Sequence, residues 1–319
     1  MGLIRRKNTL QSLQQQAVSD NYQQRVKHLA NIDMPLDFLL AGELAQIQTF
    51  GIPSISRLLH RTQQYEQAGT KRLDDTRAIL TECIGDGVSS ERGRFMVERL
   101  NFIHGHYCIS NDDYLYTLAL FMVEPVRWCQ TFGYRQLDET ERQALYLQFR
   151  ELGEAMNIRN IPADYNAMEA WYLDYRRRHL AYDAANRAVT EGLIRGMQGM
   201  LPKRLQPLTR GAIRALILTL INDDELLAAL GIKPVAAPLR WSIVALMKTR
   251  SWLFKWLNPW QLRPFEGSLI QRYYASYPRG FTPQCLGPEK IMRRATPDGC
   301  PHAAAQAGAA PELESASKA

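Results

Sequence analysis

The chain has 319 residues, 46% of them hydrophobic and 22% charged, an ordinary globular composition long enough for one large domain or two smaller ones. It contains no run of about 18 uncharged apolar residues, so no transmembrane helix is predicted, and its basic N-terminus lacks the apolar stretch of a secretory signal. Five scattered cysteines without a CxxC pair argue for a reducing compartment and against a disulfide framework or zinc cluster, so the expected location is cytoplasmic, with membrane association as the variant. The net charge of +7 is regional: residues 231–294 hold 11 Lys/Arg against 2 Asp/Glu, a net of +9, which leaves about −2 for the rest.

Residues 1–32 read as a polar, Gln-rich helical lead-in. Residues 35–62 are apolar, broken at Gly51-Ile52-Pro53, and residues 71–83 form a short helix ending before Gly85-Asp86-Gly87. In the stretch Arg94–Leu118, Phe95, Met96, Val97, Leu100, Ile103, His104 and Tyr107 recur at three- and four-residue intervals along one helical face. Arg94, Glu98, Arg99 and Asn101 take the other. Asn111 or Asp112 is the expected N-cap of the next helix, which stops near Pro125. Asp138 with Glu141 has capping-box spacing, and Asn166 with Glu169 repeats it before one long helix running to Ile194. Three more helices follow Pro202, one ending at Gly231. Strand patterns and internal repeats are absent. The prediction is an all-α fold with one main core: lead-in 1–32, helical domain 33–294, and a disordered Ala/Gly/Pro/Ser-rich tail over 295–319.

Walker, GxGxxG, HExxH and GxSxG motifs are all missing. Of six histidines, only His104 has a convincingly apolar helical setting. A buried imidazole needs a partner, either a metal or a backbone carbonyl. His106 lies nearly opposite it around the helix. A non-haem metal held by His104 with Asp112 or Asp113 is one alternative. In KRLDDT, Arg72, Asp75 and Thr76 share a face at i, i+3 and i+4. That face is either a functional polar cluster or simply solvated. Residues 233–281 mix Trp, Phe and Tyr with Lys and Arg. They fit a lipid surface or packing against the core, and carry no nucleic-acid reader motif.

From Gly51 to Pro162 the chain resembles the latex-clearing protein (rubber oxygenase) family, and most closely its MpaB-type oxygenase members. The runs that carry the likeness are GIPSISRLLHRT, KRLDDT, LNFIHGHYCISNDDYLYTL, EPVRW and FGYRQLDETERQA. The stretch from Leu201-Pro202 to residue 235 extends it. The resemblance implies a globin-like helical bundle around a b-type haem, with His104 as proximal iron ligand and metal site. It places Arg72, Leu73 and Thr76 on the distal helix. Arg72, Asp75 and Thr76 become the expected catalytic residues, and Arg72 and Thr76 are also expected to contact the cofactor. Rubber-cleaving members place lysine where this chain has Asp75, and their proposed glutamate base has no counterpart beyond Ser56 at a similar spacing. Rubber is therefore not the expected substrate. The implied partners are dioxygen and a small hydrophobic, unsaturated or isoprenoid-like molecule, with oxidative C=C cleavage as the reaction. The alternatives are a non-catalytic haem or apolar-ligand carrier, and a haem-free scaffold with a membrane-facing patch.

Overall fold

A computed structural model describes residues 16–201, 204–257, 274–289 and 291. Among these residues there are helices and no strands. The order is α1 (Val18–His28), α2 (Pro35–Phe50), α3 (Pro53–Thr62), α4 (Gln64–Asp86), α5 (Glu91–His104), α6 (Asn111–Thr131), α7 (Glu139–Ala155), α8 (Tyr165–His179), α9 (Ala184–Gly199), α10 (Gln206–Ile221), α11 (Asp224–Ala229) and α12 (Ala237–Trp256). A 3-10 turn covers Pro283–Cys285. The expected lead-in helix spans Val18–His28; the predicted tail lies outside the described residues.

The capping box at Asp138 is present in full: its side chain accepts from Glu141 N, and the Glu141 side chain accepts from Asp138 N. Four predicted boundaries are corrected. Ser110, not Asn111 or Asp112, caps α6, its hydroxyl accepting from Asp113 N at 3.0 Å. Pro125 does not stop that helix, which runs on to Thr131; the proline is buried, and burial on both sides outweighs the one backbone donor it lacks. The long helix predicted from Met168 to Ile194 is two. Leu180 turns extended, Ala181 N reaches Gly51 O at 3.2 Å, and Asp183 caps α9. Asp164 rather than Asn166 caps α8.

Two apolar cores replace the one predicted. The larger is built around Tyr116, Tyr146, Leu115 and Met122; the smaller gathers Phe50, Tyr65, Leu73, Leu193 and Leu226. Leu44 of α2 packs against both. Helix α4 belongs to both as well, with Leu73 in the smaller core and Ala78 and Ile79 in the larger. It packs along α9 through glycines: Gly192 and Gly196 of α9 face Tyr65 and Gly69 so closely that an added Cβ would lie 2.6 Å from backbone atoms.

The face predicted for α5 is rotated. Phe95 is 49% exposed, whereas Arg99 is buried, its Nε and one Nη donating to Leu286 O at 2.9 and 2.7 Å. A sequence-distant segment covers Arg99, which helical periodicity cannot foresee. The tryptophans of α12 do not pack inward either. Trp241, Trp252 and Trp256 are 71%, 61% and 71% exposed; Trp260 lies outside the described residues. Cys83, Cys108 and Cys129 are free thiols and Cys285 is disulfide-bonded, which the expectation of a reducing compartment does not foresee.

Candidate functional site

The gap between the helices is an apolar cavity of about 190 Å³, walled by α2 to α7 and the loop after α5. Ile55, Leu59, Ile79, Leu100, Leu118 and Phe149 supply much of the wall. His104, Arg72 and Thr76 all line it, although 28 residues separate Thr76 from His104. Two helices bring them together. Arg72 and Thr76 are one turn apart on α4, and His104 is the last residue of α5, whose end is closed by Gly105.

The His104 ring is shielded from bulk solvent, and burial, reinforced by the Arg72 charge, pushes its pKa down to about 4. The imidazole is therefore neutral at pH 7. Its Nδ1 is buried with no hydrogen-bond partner among the described residues. The Tyr114 ring lies 5.4 Å away, tilted. The Arg72 guanidinium donates to Thr76 Oγ1, while the Thr76 hydroxyl donates to Arg72 O at 3.1 Å. Arg72 also lies 5.3 Å from the centre of the Tyr65 ring. Among the described residues no carboxylate pairs with it. An unpaired guanidinium and an unsatisfied neutral imidazole on one apolar cavity are a donor set that fits an iron porphyrin: a soft nitrogen ligand for the metal, a cation for a propionate.

Asp75 is not brought to this cavity. Residue 75 faces the C-terminal segment, where its carboxylate accepts from Lys71 Nζ at 2.8 Å, from Gly287 N at 3.1 Å and from the Tyr277 hydroxyl. The three-residue offset from Arg72 turns it just far enough around α4 to reach a different neighbour. The KRLDDT face is not solvated: Asp74 and Asp75 are buried. Ser56 is also buried away from the cavity and donates to Asn186 Oδ1.

For the non-haem alternative, Asp113 does line the cavity, but its Oδ1 already accepts from Ser54 at 2.8 Å and Tyr175 at 3.0 Å. No group of three or more His, Cys, Asp or Glu placed to hold a metal ion occurs among the described residues. His106 is exposed, its Nδ1 donating to Phe102 O at 2.8 Å, and does not join His104. Sequence reasoning missed Ser54, Tyr65 and Tyr114 as lining residues; only the apolar spacing around them hinted at a wall.

Comparison with known families matches residues 39–252 to the one described as "ER-bound oxygenase mpaB/B'/Rubber oxygenase, catalytic domain". The chain is similar to the ER-bound oxygenase mpaB' of Penicillium brevicompactum, 31% identical over 253 residues, covering 73% of this chain and 58% of that protein. The ER-bound oxygenase mpaB of the same fungus is 31% identical over 237 residues, 66% of this chain and 59% of its own length. The mpaB of Penicillium roqueforti (strain FM164) is 32% identical over 199 residues, 57% of this chain and 67% of its own. The chain thus spans about three-fifths of the length of the first two. With the family match extending across the cavity-forming helices, the chain belongs to the mpaB/B'–rubber oxygenase catalytic-domain family.

Proposed function

We propose that this chain is a haem b-dependent oxygenase that cleaves a carbon–carbon double bond of a hydrophobic, unsaturated, isoprenoid-like molecule. The observation that carries the proposal is the neutral, unsatisfied His104 imidazole on an apolar cavity shared with Arg72 and Thr76. A haem bound there would supply activation of dioxygen. The balance is closed without a reductant: one alkene and one dioxygen give two carbonyl compounds, the C=C and O–O bonds breaking as two C=O bonds form.

The residues of the chain have separable tasks. His104 holds the cofactor through a ring kept neutral by its surroundings. Arg72 supplies a fixed positive charge for a cofactor carboxylate. Thr76, tied to Arg72, places a hydroxyl one helical turn away. Ile79, Leu100, Leu118 and Phe149 exclude water and receive an apolar chain.

Protein made with ample iron and haem precursor should show Soret absorption that His104→Ala abolishes. Colourless, folded wild-type protein would overturn the haem assignment. Oxygen uptake on adding candidate alkenes separates an oxygenase from a carrier that holds haem without turnover.

The exposed face of α12 supports a peripheral membrane contact. Trp241, Trp252 and Trp256 fall on one stripe, with Leu246 and Leu253 beside it and Lys255 at its edge. Tryptophan suits the headgroup level and lysine an anionic lipid. The relatives are named ER-bound, and no helix among the described residues is long and apolar enough to cross a membrane. Full-length protein should co-sediment with anionic vesicles at low salt, and Trp241→Ser with Trp252→Ser should lose most of that binding. Equal recovery with and without vesicles would dismiss it.

A further inference from the structure

A second chamber lies beside the His104 cavity, among α2, α4, α6 and α7. The two share Gln46, Leu80, Phe121 and Phe149 as lining residues, so they adjoin along these side chains. The second chamber is lined by Phe38, Leu39, Ile84 and Leu145, and it contains one charged pair. Arg77 Nε donates to Glu43 Oε1 at 2.6 Å. The other carboxylate oxygen, Glu43 Oε2, is buried with no hydrogen-bond partner. Asp74 stands 3.8 Å from the same guanidinium. Gly42, midway along α2, opens onto this space: a Cβ added there would meet nothing within 4 Å. Glycine inside a helix costs stability relative to alanine, so its presence here leaves room that a side chain would fill.

A buried carboxylate oxygen without a donor is costly to leave unsatisfied. Its natural complement is a ligand O–H. An anionic ligand does not suit the place, because two carboxylates surround one guanidinium. Burial also pushes the Glu43 carboxyl up, with Arg77 opposing the shift, so further negative charge is unwelcome. We propose that this chamber binds the hydroxyl end of an elongated apolar molecule, with Glu43 as the acceptor and the apolar body continuing past Leu80 and Phe121 into the His104 cavity. The substrate class becomes an unsaturated apolar alcohol rather than a pure hydrocarbon or an acid. This rests on the apolar-substrate reading of the His104 cavity.

The test is equilibrium binding by calorimetry to the full chain under anaerobic conditions, so that no turnover is read. The probes are a medium-chain alkenol, its methyl ether and the carboxylate of the same chain. The wild type should bind the alkenol about tenfold or more tighter than the ether, which cannot donate, and the acid weakest. Glu43→Leu should bring alkenol and ether within about twofold of each other. Gly42→Leu fills the chamber without touching the charged pair and favours the helix, so it should fold well and lose the same preference. Equal affinity for alkenol and ether in the wild type, or a preference that survives Gly42→Leu, overturns the inference while leaving the apolar-substrate reading standing. Failure of every probe to bind overturns both.

Discussion

At the scale of single residues, the groups proposed to carry the chemistry have surroundings stripped of partners. His104 is the clearest case. Its folded pKa of about 4 lies below the ordinary 6.5, so in the haem-free chain the unfolded state binds the extra proton between those values. The stabilising contribution of the neutral ring is therefore complete above about pH 6.5 and is lost as pH falls through 4, amounting to about 3 kcal/mol. His104→Leu should flatten the fall in unfolding free energy over that window, measured by denaturant titration at several pH values. A variant with the same slope as wild type would show that the ring is not shielded as described. That His104, Arg72 and Thr76 line one cavity is legible in the sequence only through the apolar spacing that singles out one histidine and the family likeness that singles out one helix turn. For Asp75 the sequence leaves a functional cluster and a solvated face both open, and the family likeness puts it at the cavity; the structure buries it facing elsewhere. Its partners, Tyr277 and Gly287, lie more than 200 residues away in sequence, and no local pattern announces them.

At the scale of elements, periodicity identified most helices, and errors collected where tertiary contacts decide. The backbone bond from Ala181 to Gly51 and the Asp183 cap split a segment that reads as one helix. The close approach of α4 and α9 has only a faint mark in the sequence, the small residues three and four apart at Gly192, Gly196 and Gly199. That contact positions the functional turn, since Gly69 and Thr70 are the residues just before Lys71 and Arg72, and Thr70 Oγ1 donates to Gly196 O at 2.9 Å. Because the obstacles are backbone atoms, they cannot swing aside. Gly192→Ala or Gly196→Ala should cost about 1–3 kcal/mol by overpacking, a fall of roughly 2–10 °C in Tm. It should also push Arg72 away from the cavity, so on the proposed haem assignment haem retention on dilution should fall as well. Unchanged Tm in both variants would mean that the two helices separate at no cost. By contrast, Asp138→Ala removes only a surface capping box. It should cost about 1 kcal/mol without any change in haem retention.

At the scale of the whole molecule, the last described segment acts as a strap over α4 and α5. Asp75 holds Tyr277 and Gly287, Asp74 accepts from Ser276 N at 2.8 Å, Lys71 Nζ donates to Gly287 O at 2.8 Å, and Arg99 holds Leu286 O. These four charged side chains alternate with the cavity-facing residues of the same helices, so each helix offers one face to the site and another to the strap. Removing a buried partner costs more than the bond is worth when the remaining charge stays buried. Here the Lys71 side chain keeps 21% of its surface exposed and can regain water. The loss from Asp75→Ala should therefore fall near the low end, about 2–3 kcal/mol, and be expressed as local opening of the strap rather than global unfolding. Arg279 is exposed within the strap and offers trypsin a cut site. Cleavage after it should accelerate by one to two orders of magnitude in Asp75→Ala, since opening precedes cutting. Asp75→Asn, which keeps a carbonyl acceptor for Tyr277, should fall between. Because residue 75 does not face the cavity, on the proposed haem assignment the same Asn variant should keep the Soret position and intensity of wild type, whereas Arg72→Ala should not. Wild-type cleavage rates in both Asp75 variants, or an altered Soret band in Asp75→Asn, would return this carboxylate to the cofactor side of the helix.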